Sequence, residues 1–499
     1  MNKKLGIINL NSNFVKLVIY EINSNGSYKL IDDIIQPISL IENMVEGKNI
    51  NDFSIHKAIK IVKLYRKICL SYKITPSNIM SIITSSIKSA DNYNQLMDML
   101  NKYTGLEFKL LTEDEETLFI NNSVKYSFES NNSLIINING GNTHLIYSQN
   151  NSILNSIFIP IGYINANESY LSSDNHSKLK NKIFEILSSN HIIKSYNKIK
   201  VIGIGDITLN LSKILIEKNT YPLKKIHNYT VYFKDLNKLL NKISSSNFGY
   251  SNTLCETYLI PNIFTSGLFI LKTILEYYKF DAIIINSNSL DEGIFFNYFF
   301  KNSLIKFTNV LNFSINNYIN NLNLQNITTN NIVDISLSLF NQLKPIHNFG
   351  INEEKILHYS SLLHEIGMFI DYKNNCDNTF YILLNLNIYG LSHREIILLS
   401  AISASHKNLN RENRYLKPFK DILNTDDIKI YKILSLFLNL SKRLNKSNYK
   451  IIESIDCTLN ETSIKIKTIH NGDAELEITL ANEISDEFIF LFNKKLIVT

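Results

Sequence analysis

Residues 8–13 read I-N-L-N-S-N, and residues 136–142 read I-N-I-N-G-G-N. Each stretch ends an apolar, strand-like run and opens a short polar turn. Two further strand-like runs follow each turn, at 14–22 and 28–35 in the first case and at 143–149 and 153–159 in the second. Two similar turns can arise by chance in an Asn-rich chain, but the repeated strand–turn–strand–strand context favours a duplication.

The segments around these turns alternate between strand-like and helix-like patterns. Apolar residues at helical spacing occur at 53–71, 94–103, 179–188, 209–217, 264–278 and 291–300. Short apolar runs typical of strands occur at 79–83, 107–111, 200–204 and 281–285. Because strands alternate with helices in two related halves, the sequence predicts two α/β lobes with a cleft between them.

The pattern becomes helical beyond residue 301. Helix-like segments occur at 331–343, 353–366, 395–404 and 429–444. Strand-like alternation returns from residue 451, through 463–468 and 474–480. We therefore predict four domains, with lobe I at 1–122, lobe II at 123–301, a helical domain at 302–450 and a small α+β domain at 451–499.

Composition limits the class of protein. Of the 499 residues, 44% are hydrophobic and 19% charged, which indicates a folded chain. The net charge of +6 suits a phosphate-rich ligand, but an ordinary basic surface explains it equally well. The chain shows no Lys/Arg run of nucleic-acid type, no apolar run of transmembrane length and no signal peptide, so we expect neither nucleic acid nor membrane as a partner and a cytoplasmic location.

Four cysteines, Cys69, Cys255, Cys376 and Cys457, lie far apart in the sequence. Their spacing indicates a reducing compartment without disulfides and argues against a thiolate metal site.

The turns suggest phosphate chemistry. Facing turns of this kind present backbone N–H groups to phosphate oxygens, and Gly140 and Gly141 permit a close backbone approach. Hydrolysis of a phosphoanhydride also needs a divalent cation on carboxylates and a group that orients water. The turns carry no carboxylate, but residues 113–116, E-D-E-E, enter a helix predicted at 117–122. Acids in a first turn more often only complement the helix dipole, although one of them could orient water in the cleft.

Several segments match, in order, the motifs of one family. Residues 9–17, N-L-N-S-N-F-V-K-L, correspond to its first loop, D-I-G-S-N-S-x-R-L. Residues 137–145, N-I-N-G-G-N-T-H-L, correspond to its second loop, D-I-G-G-G-S-T-E-L. Further matches lie at 83–92, 104–118, 159–162, 203–207, 362–372 and 391–395. On these residues the chain resembles the exopolyphosphatase / guanosine pentaphosphatase (Ppx/GppA) family, in its long form with an HD-like C-terminal domain.

The resemblance implies a fold and an activity. The lobes are expected to be of the actin-like ATPase (ribonuclease H-like) type, and the helical domain to be HD-like and all-α. The implied reaction is release of the terminal phosphate from polyphosphate or guanosine pentaphosphate with Mg²⁺. Dimers are common in the family, so a homodimer is also implied.

The resemblance assigns roles unevenly. Glu116 falls on the catalytic glutamate, whereas Asn9 and Asn137 fall on the two loop aspartates and are degenerate metal-anchor positions. An amide is a poorer anchor for Mg²⁺ than a carboxylate and cannot act as a base. The implied phosphate-binding residues are Asn11, Ser12, Asn13, Lys16, Lys88, Asn139, Gly140, Gly141, Asn142, Thr143 and Gly205.

Further departures concern charge. Lys16 and Lys88 replace arginines and lose their bidentate fork for phosphate. His144 replaces an acid, and Asp206 would place negative charge against a polyanion.

The HD-like positions depart further. An HD hydrolase holds its metal with His, His-Asp and a distant Asp. The corresponding residues here are Asn331, His364-Glu365 and Lys442, so we expect no metal there and interpret His364 as a core residue.

Three hypotheses remain open from the sequence. The first is a hydrolase of this family with impaired catalysis. The second is a catalytically inactive relative that binds a phosphorylated ligand or a partner protein. The third is a decayed sequence that keeps the fold but binds little.

Overall fold

A computed structural model describes residues 2–40, 49–171, 175–190, 199–244, 261–324, 327–406 and 411–499. The chain forms two compact units, Met1–Phe313 and Ser314–Thr499. The finer division into four domains stays a prediction. Among the described cysteines, Cys69 and Cys457 are free thiols, Cys376 is buried, and Cys255 lies outside the described residues. None of the described helices is both long enough and apolar enough to cross a membrane.

The first sheet of unit 1 is built from the amino-terminal strands. They are β1 Lys3–Leu10, β2 Phe14–Ile22, β3 Tyr28–Pro37, β4 Ile79–Ile83 and β5 Phe108–Leu110. The strand order is β3-β2-β1-β4-β5, in which β1 to β3 are antiparallel neighbours and β4 and β5 run parallel to β1. The helices of this part are α1 Asp52–Ser71, α2 Tyr93–Thr104 and α3 Glu113–Lys125.

The second sheet repeats this arrangement. Its strands are β6 Asn132–Ile138, β7 Thr143–Gln149, β8 Ser152–Ile159, β9 Lys200–Ile204, β10 Thr230–Tyr232 and β11 Ala282–Ile285. The strand order is β10-β11-β9-β6-β7-β8. Without the edge strand β10 and read from the other edge, the order β8-β7-β6-β9-β11 corresponds to β3-β2-β1-β4-β5 of the first sheet, with the same strand directions. The helices are α4 Tyr163–Ala166, α5 His176–Ser189, α6 Asp206–Lys218, α7 Phe233–Ser244, α8 Pro261–Tyr278 and α9 Leu290–Asn302. The predicted α/β fold class with two similar lobes is confirmed.

The central strands are buried along most of their length because helices cover the sheets. In β1 and β6 the apolar residues form continuous runs, which is typical of a strand with both faces covered. Ile8 and Leu10 of β1 belong to the same apolar cluster as Ile136 and Ile138 of β6. Each of these strands ends at one of the two Asn-bearing turns, so the core holds both turns in place.

Helix α9 packs closely against α3. A Cβ atom added to Gly293 would lie 1.8 Å from the carbonyl oxygen of Phe119, so glycine is required for this approach. Phe295 of α9 stacks on Tyr20 of β2 with ring centroids 3.8 Å apart. Because α9 follows the last strand of the second sheet, these contacts tie that sheet to the first one.

The second unit is mainly helical. Its helices are α10 Val310–Leu322, which contains the boundary, α11 Ile327–Gln342, α12 Lys344–His347, α13 Ile351–Leu363, α14 Asn375–Asn385, α15 His393–Ala404, α16 Glu412–Tyr415 and α17 Thr425–Arg443. A three-stranded sheet follows, formed by β12 Ile452–Leu459, β13 Ser463–His470 and β14 Lys495–Val498. Between β13 and β14 lie α18 Glu475–Asn482 and α19 Ser485–Phe492.

The prediction of a strand at 474–480 is wrong, because this segment forms α18. Its alternating apolar residues do not share a buried face, and Leu476 is 55% exposed. Glu477 and Ala481, four residues apart on one helical face, are buried instead. The carboxylate of Glu477 accepts a hydrogen bond of 2.9 Å from the N–H of Ser447. No sequence pattern predicts this contact.

We predict that Gly293→Ala destabilises unit 1. Alanine normally stabilises a helix interior relative to glycine by about 1 kcal/mol, but the forced separation of α3 and α9 should outweigh this gain and lower the free energy of unfolding by about 1–3 kcal/mol. Calorimetric melting of the two proteins measures the difference. The control is Gly350→Ala, whose added Cβ meets only Glu353 Oε2 at 3.6 Å. An unchanged or higher melting temperature for Gly293→Ala would contradict the packing argument.

Candidate active site

The two Asn-bearing turns face one narrow cleft in unit 1. Asn9, Asn137 and Glu116 all line it, as their alignment with the family's site residues requires. The other lining residues are Asn11, Ser12, Phe14, Thr84, Ser86, Ile120, Asn139, Gly140, Tyr163, Gly205, Asp206, Ser289, Leu290 and Asp291. The volume that water can occupy is about 50 Å³, enough for a few molecules.

The first turn is shaped by the side chain of Asn11. Its Oδ1 accepts hydrogen bonds of 2.8 Å from the N–H groups of Asn13 and Phe14. The carbonyl of Ser12 accepts a further bond of 2.9 Å from the N–H of Leu40. Asn11 therefore has a structural task, because an Asx-type bond replaces part of the backbone pairing in the turn.

The second turn is closed by Asn139 and Asn142. The N–H of Asn139 donates to the carbonyl of Asn142 at 2.8 Å, and the two side-chain amides form a bond of 2.9 Å. A Cβ atom on Gly140 would lie 2.4 Å from Ser12 Oγ, so the two turns touch. The N–H of Tyr163 donates a hydrogen bond of 2.9 Å to the carbonyl of Asn139 and so fixes the turn to the start of α4.

A third loop, between β9 and α6, meets Asn137. Gly205 has a φ of +83°, a conformation that L side chains rarely adopt. A Cβ atom there would also lie 2.6 Å from Asn137 Oδ1. Glycine therefore allows the loop to turn while its backbone passes beside the amide of the second turn.

Glu116 is buried and tightly held at the start of α3. Its Oε1 accepts a hydrogen bond of 2.5 Å from the N–H of Ser85, and its Oε2 accepts one of 3.0 Å from Ser85 Oγ. His144 Nε2 lies 3.1 Å from the same Oε2. The carboxylate is thus fixed in direction, as a group that orients a water molecule must be.

The acidic run divides into two roles. Glu115 completes a capping box with Thr112 and pairs with Lys109, so it serves the helix terminus. Glu116, the next residue, instead lines the cleft. The helix-terminus interpretation therefore fits Glu115, whereas the catalytic role of Glu116 stays a prediction.

Asp291, in the first turn of α9, is a buried cleft residue that sequence reasoning missed. Its Oδ1 accepts a hydrogen bond of 2.7 Å from Asn9 Nδ2. Its Oδ2 lies 3.4 Å from Lys16 Nζ and 3.3 Å from Ser289 Oγ. Lys16 also pairs with Asp33 at 3.3 Å. The sequence did offer one indication of this role: Asp291 follows the carboxyl end of β11, and ligand sites of α/β sheets lie at the carboxyl ends of strands.

Electrostatics in the cleft are dominated by burial. Burial raises the pKa of Asp291, whereas Lys16 acts to lower it. Burial alone would lower the pKa of Lys16, but the carboxylates of Asp291, Glu292 and Asp33 together raise it above its ordinary value. Lys16 is therefore a permanent ammonium that compensates the buried acid.

Asp206 is a second acid in the cleft, at the first position of α6. Burial raises its pKa to about 6, Lys16 opposes this shift, and Asp291 adds to it. At neutral pH the side chain is mostly ionised in spite of its partly buried position.

The cleft lining contains only part of the predicted phosphate-binding set. Lining residues are Asn11, Ser12, Asn139, Gly140 and Gly205, whereas Asn13, Lys16, Lys88, Gly141, Asn142 and Thr143 lie outside the lining. Lys88 is exposed in the short helical turn Ser85–Ser89. Thr143 donates its hydroxyl to the carbonyl of Ile161 at 2.7 Å. The binding roles stay predictions for the whole set.

The HD-like positions in unit 2 hold an ammonium group. Lys442 Nζ lies 3.3 Å from His364 Nε2 and forms an ion pair with Glu365. Burial, and next the charge of Lys442, lower the pKa of His364 well below its ordinary value. Asn331 instead binds Asn445 at 3.2 Å. In the described part of the chain, no group of three or more His, Cys, Asp or Glu residues could hold a metal ion.

Comparisons with known proteins place these features in a family. The family model described as the Ppx/GppA phosphatase family matches residues 18–301, and that of Ppx/GppA phosphatase, domain III, matches residues 310–486. A bifunctional 3-dehydroquinate synthase/phosphatase of Fusobacterium nucleatum is 25% identical over 56% of this chain, and the chain spans 44% of that relative's length. A guanosine-5'-triphosphate,3'-diphosphate pyrophosphatase of Aeromonas hydrophila is 22% identical over 74% of each chain.

Two solved structures share the fold over part of this chain. An exopolyphosphatase from Cytophaga hutchinsonii is 18% identical, with a TM-score of 0.55 over 61% of this chain and 100% of that one. A Ppx/GppA family member from Aquifex aeolicus is 19% identical, with a TM-score of 0.50 over the same shares.

We predict that Asp206→Asn stabilises the protein at neutral pH. The pKa of Asp206 is raised by folding, so between about pH 4 and pH 6 the folded state keeps a proton that the unfolded state has lost. The free energy of unfolding therefore falls as pH rises through this window, by about 3 kcal/mol. The variant should melt several degrees above the parent at pH 7.5, and the gap should close near pH 4.

The matched control is Asp52→Asn, an exposed acid at the first position of α1. It should show no pH-dependent gap of this kind. A gap for Asp206→Asn that is constant from pH 4 to pH 7.5 would argue against the raised pKa.

Proposed function

Because the chain belongs to the Ppx/GppA phosphatase family, we propose that it binds the terminal phosphate of a phosphoanhydride in the cleft and hydrolyses it slowly. The observation that carries the proposal is the convergence of Asn9, Asn137 and Glu116 on one cleft. Polyphosphate and guanosine pentaphosphate are the proposed substrates, since similar proteins are named for these two compounds.

Phosphate binding is assigned to the backbone of the two turns. The carbonyl of Gly140 accepts a hydrogen bond of 2.9 Å from the N–H of Ile164, which orients the peptide planes of the turn. Among the described residues, the N–H group of Gly140, which lines the cleft, donates no backbone hydrogen bond, so it is open to a phosphate oxygen. Ser12, which touches Gly140 from the first turn, adds a hydroxyl donor.

The hydrolytic step is assigned to Glu116. Its carboxylate is held by Ser85, so it can orient a water molecule toward the terminal phosphorus without first being ordered. The step is expected to be slow because Asn9 and Asn137 stand where the family has aspartates. Their amides preserve the shape of the turns but contribute no negative charge to hold a cation.

The oxygen atoms of the cleft nevertheless fit Mg²⁺. Asn9 Oδ1 is buried and has no hydrogen-bond partner among the described residues. An amide oxygen in this condition is a suitable ligand for a hard cation. A bound Mg²⁺ would supply charge neutralisation for the phosphate oxygens.

A second candidate function is binding without hydrolysis. The neutral amides at both loop positions favour it, because they contribute no negative charge to hold a catalytic cation. In this case a phosphorylated ligand would occupy the cleft and remain intact.

We predict that the protein releases phosphate from polyphosphate or guanosine pentaphosphate with Mg²⁺, and that Glu116→Gln lowers the rate by about 100-fold or more. The measurement is single-turnover phosphate release. Glu115→Gln is the matched control, because glutamine can still complete the capping box of α3 and the side chain serves the helix terminus. The double variant Asn9→Asp/Asn137→Asp should accelerate release.

The outcomes separate the two functions. Rates that are equal for the parent and Glu116→Gln would reject hydrolysis in this cleft. Calorimetric binding of either ligand without phosphate release would support the binding function. Absence of both binding and release would reject both.

A further inference from the structure

We propose that Asp291 and Asp206, together with the amide oxygen of Asn9, hold a divalent, oxygen-preferring cation in the cleft. The acids would thereby supply the negative charge that the two turns lack at Asn9 and Asn137. The inference deepens the proposed function, because the cation would serve the same site.

The first observation is the orientation of Asn9. The residue is 3% exposed, and its Nδ2 donates to Asp291 at 2.7 Å. This bond fixes which end of the amide faces the acid, so Oδ1 faces elsewhere in the buried cleft. Oδ1 has no hydrogen-bond partner among the described residues. A buried carbonyl oxygen without a partner destabilises the folded protein, and a cation beside it would remove that cost.

The second observation is the excess of negative charge. Asp206 and Asp291 line the same cleft. The single charge of Lys16 is shared between Asp291 at 3.4 Å and Asp33 at 3.3 Å. Buried acids of like charge repel each other unless a cation lies between them. The one positive charge of Lys16 cannot compensate the negative charges of all three acids, and a divalent ion would compensate the negative charge that is left.

The donor atoms indicate the class of ion. The proposed ligands are two carboxylates and an amide oxygen, which hard cations such as Mg²⁺ and Mn²⁺ prefer. Mg²⁺ is usually held by one or two carboxylates and keeps several of its waters, so a cluster of three acids is unnecessary. The water-sized space of about 50 Å³ admits the ion with a small part of its hydration shell.

The test measures direct binding of Mn²⁺ to the protein, with no phosphorylated substrate present. Electron paramagnetic resonance measures the concentration of the free ion. The parent protein should show saturable binding at one site. Asp291→Asn and Asp206→Asn should each weaken it by at least about 10-fold, because each removes a charged ligand. Asn9→Asp should tighten it, since it adds a charge at the unpartnered oxygen.

Asp281→Asn is the matched control, because Asp281 is an exposed acid just before β11. Its one described hydrogen bond is made by the backbone carbonyl, which accepts from the N–H of Phe233. It should bind Mn²⁺ like the parent. Asp206 lies at a helix start where asparagine is tolerated, so that variant keeps the test valid if Asp291→Asn fails to fold.

Absence of saturable Mn²⁺ binding in the parent overturns the inference, and so does binding that neither Asp291→Asn nor Asp206→Asn weakens. Mn²⁺ binding that depends on these acids in a protein that hydrolyses nothing would support the cation site and reject the hydrolase. Hydrolysis without acid-dependent Mn²⁺ binding would reject the cation site alone.

Discussion

The contact between Gly293 and the backbone of Phe119 sets the geometry on which the cleft depends. Phe119 follows Glu116 by one turn of α3, and Gly293 follows Asp291 by two residues in α9. A helix is stiff over such short distances, so the close approach of the two backbones places both acids at the same cleft. Any side chain at position 293 would move one helix, and its acid, away from the other.

The distribution of charge in the cleft differs from that implied by the family motifs. Asparagine has nearly the shape of aspartate, so Asn9 and Asn137 keep the turns intact while removing two negative charges. Two acids from other elements, Asp291 and Asp206, bring negative charge back to the same space. The loop positions alone therefore underestimate the charge of the site. Lys16 pairs with Asp291 and Asp33, and its assignment to phosphate stays a prediction.

Local patterns predicted the parts of this site that depend on local contacts. The strands at 14–22 and 143–149 have the predicted bounds because their alternation and flanking turns are both encoded nearby. The placement of Glu116 at the cleft could be predicted from the sequence, because the start of the helix, the acidic run and the family motif coincide there. The bond between Asn9 and Asp291 joins residues 282 positions apart, and no spacing rule relates such partners. Segment 474–480 was misassigned because its short alternation fits a strand, whereas the burial of Glu477 is decided by tertiary contacts.

The two degenerate sites of the chain differ in what remains uncompensated. In unit 2, Lys442 pairs with Glu365, and His364 is kept neutral by burial, so the charges there are already balanced. A metal ion would have to displace an ammonium group without gaining a free anionic ligand. In the cleft of unit 1, Lys16 is shared between two acids, and an amide oxygen of Asn9 stays without a partner. A lysine beside a predicted metal position thus differs between the two units: Lys442 completes the charge balance in unit 2, whereas Lys16 is shared between two acids in unit 1.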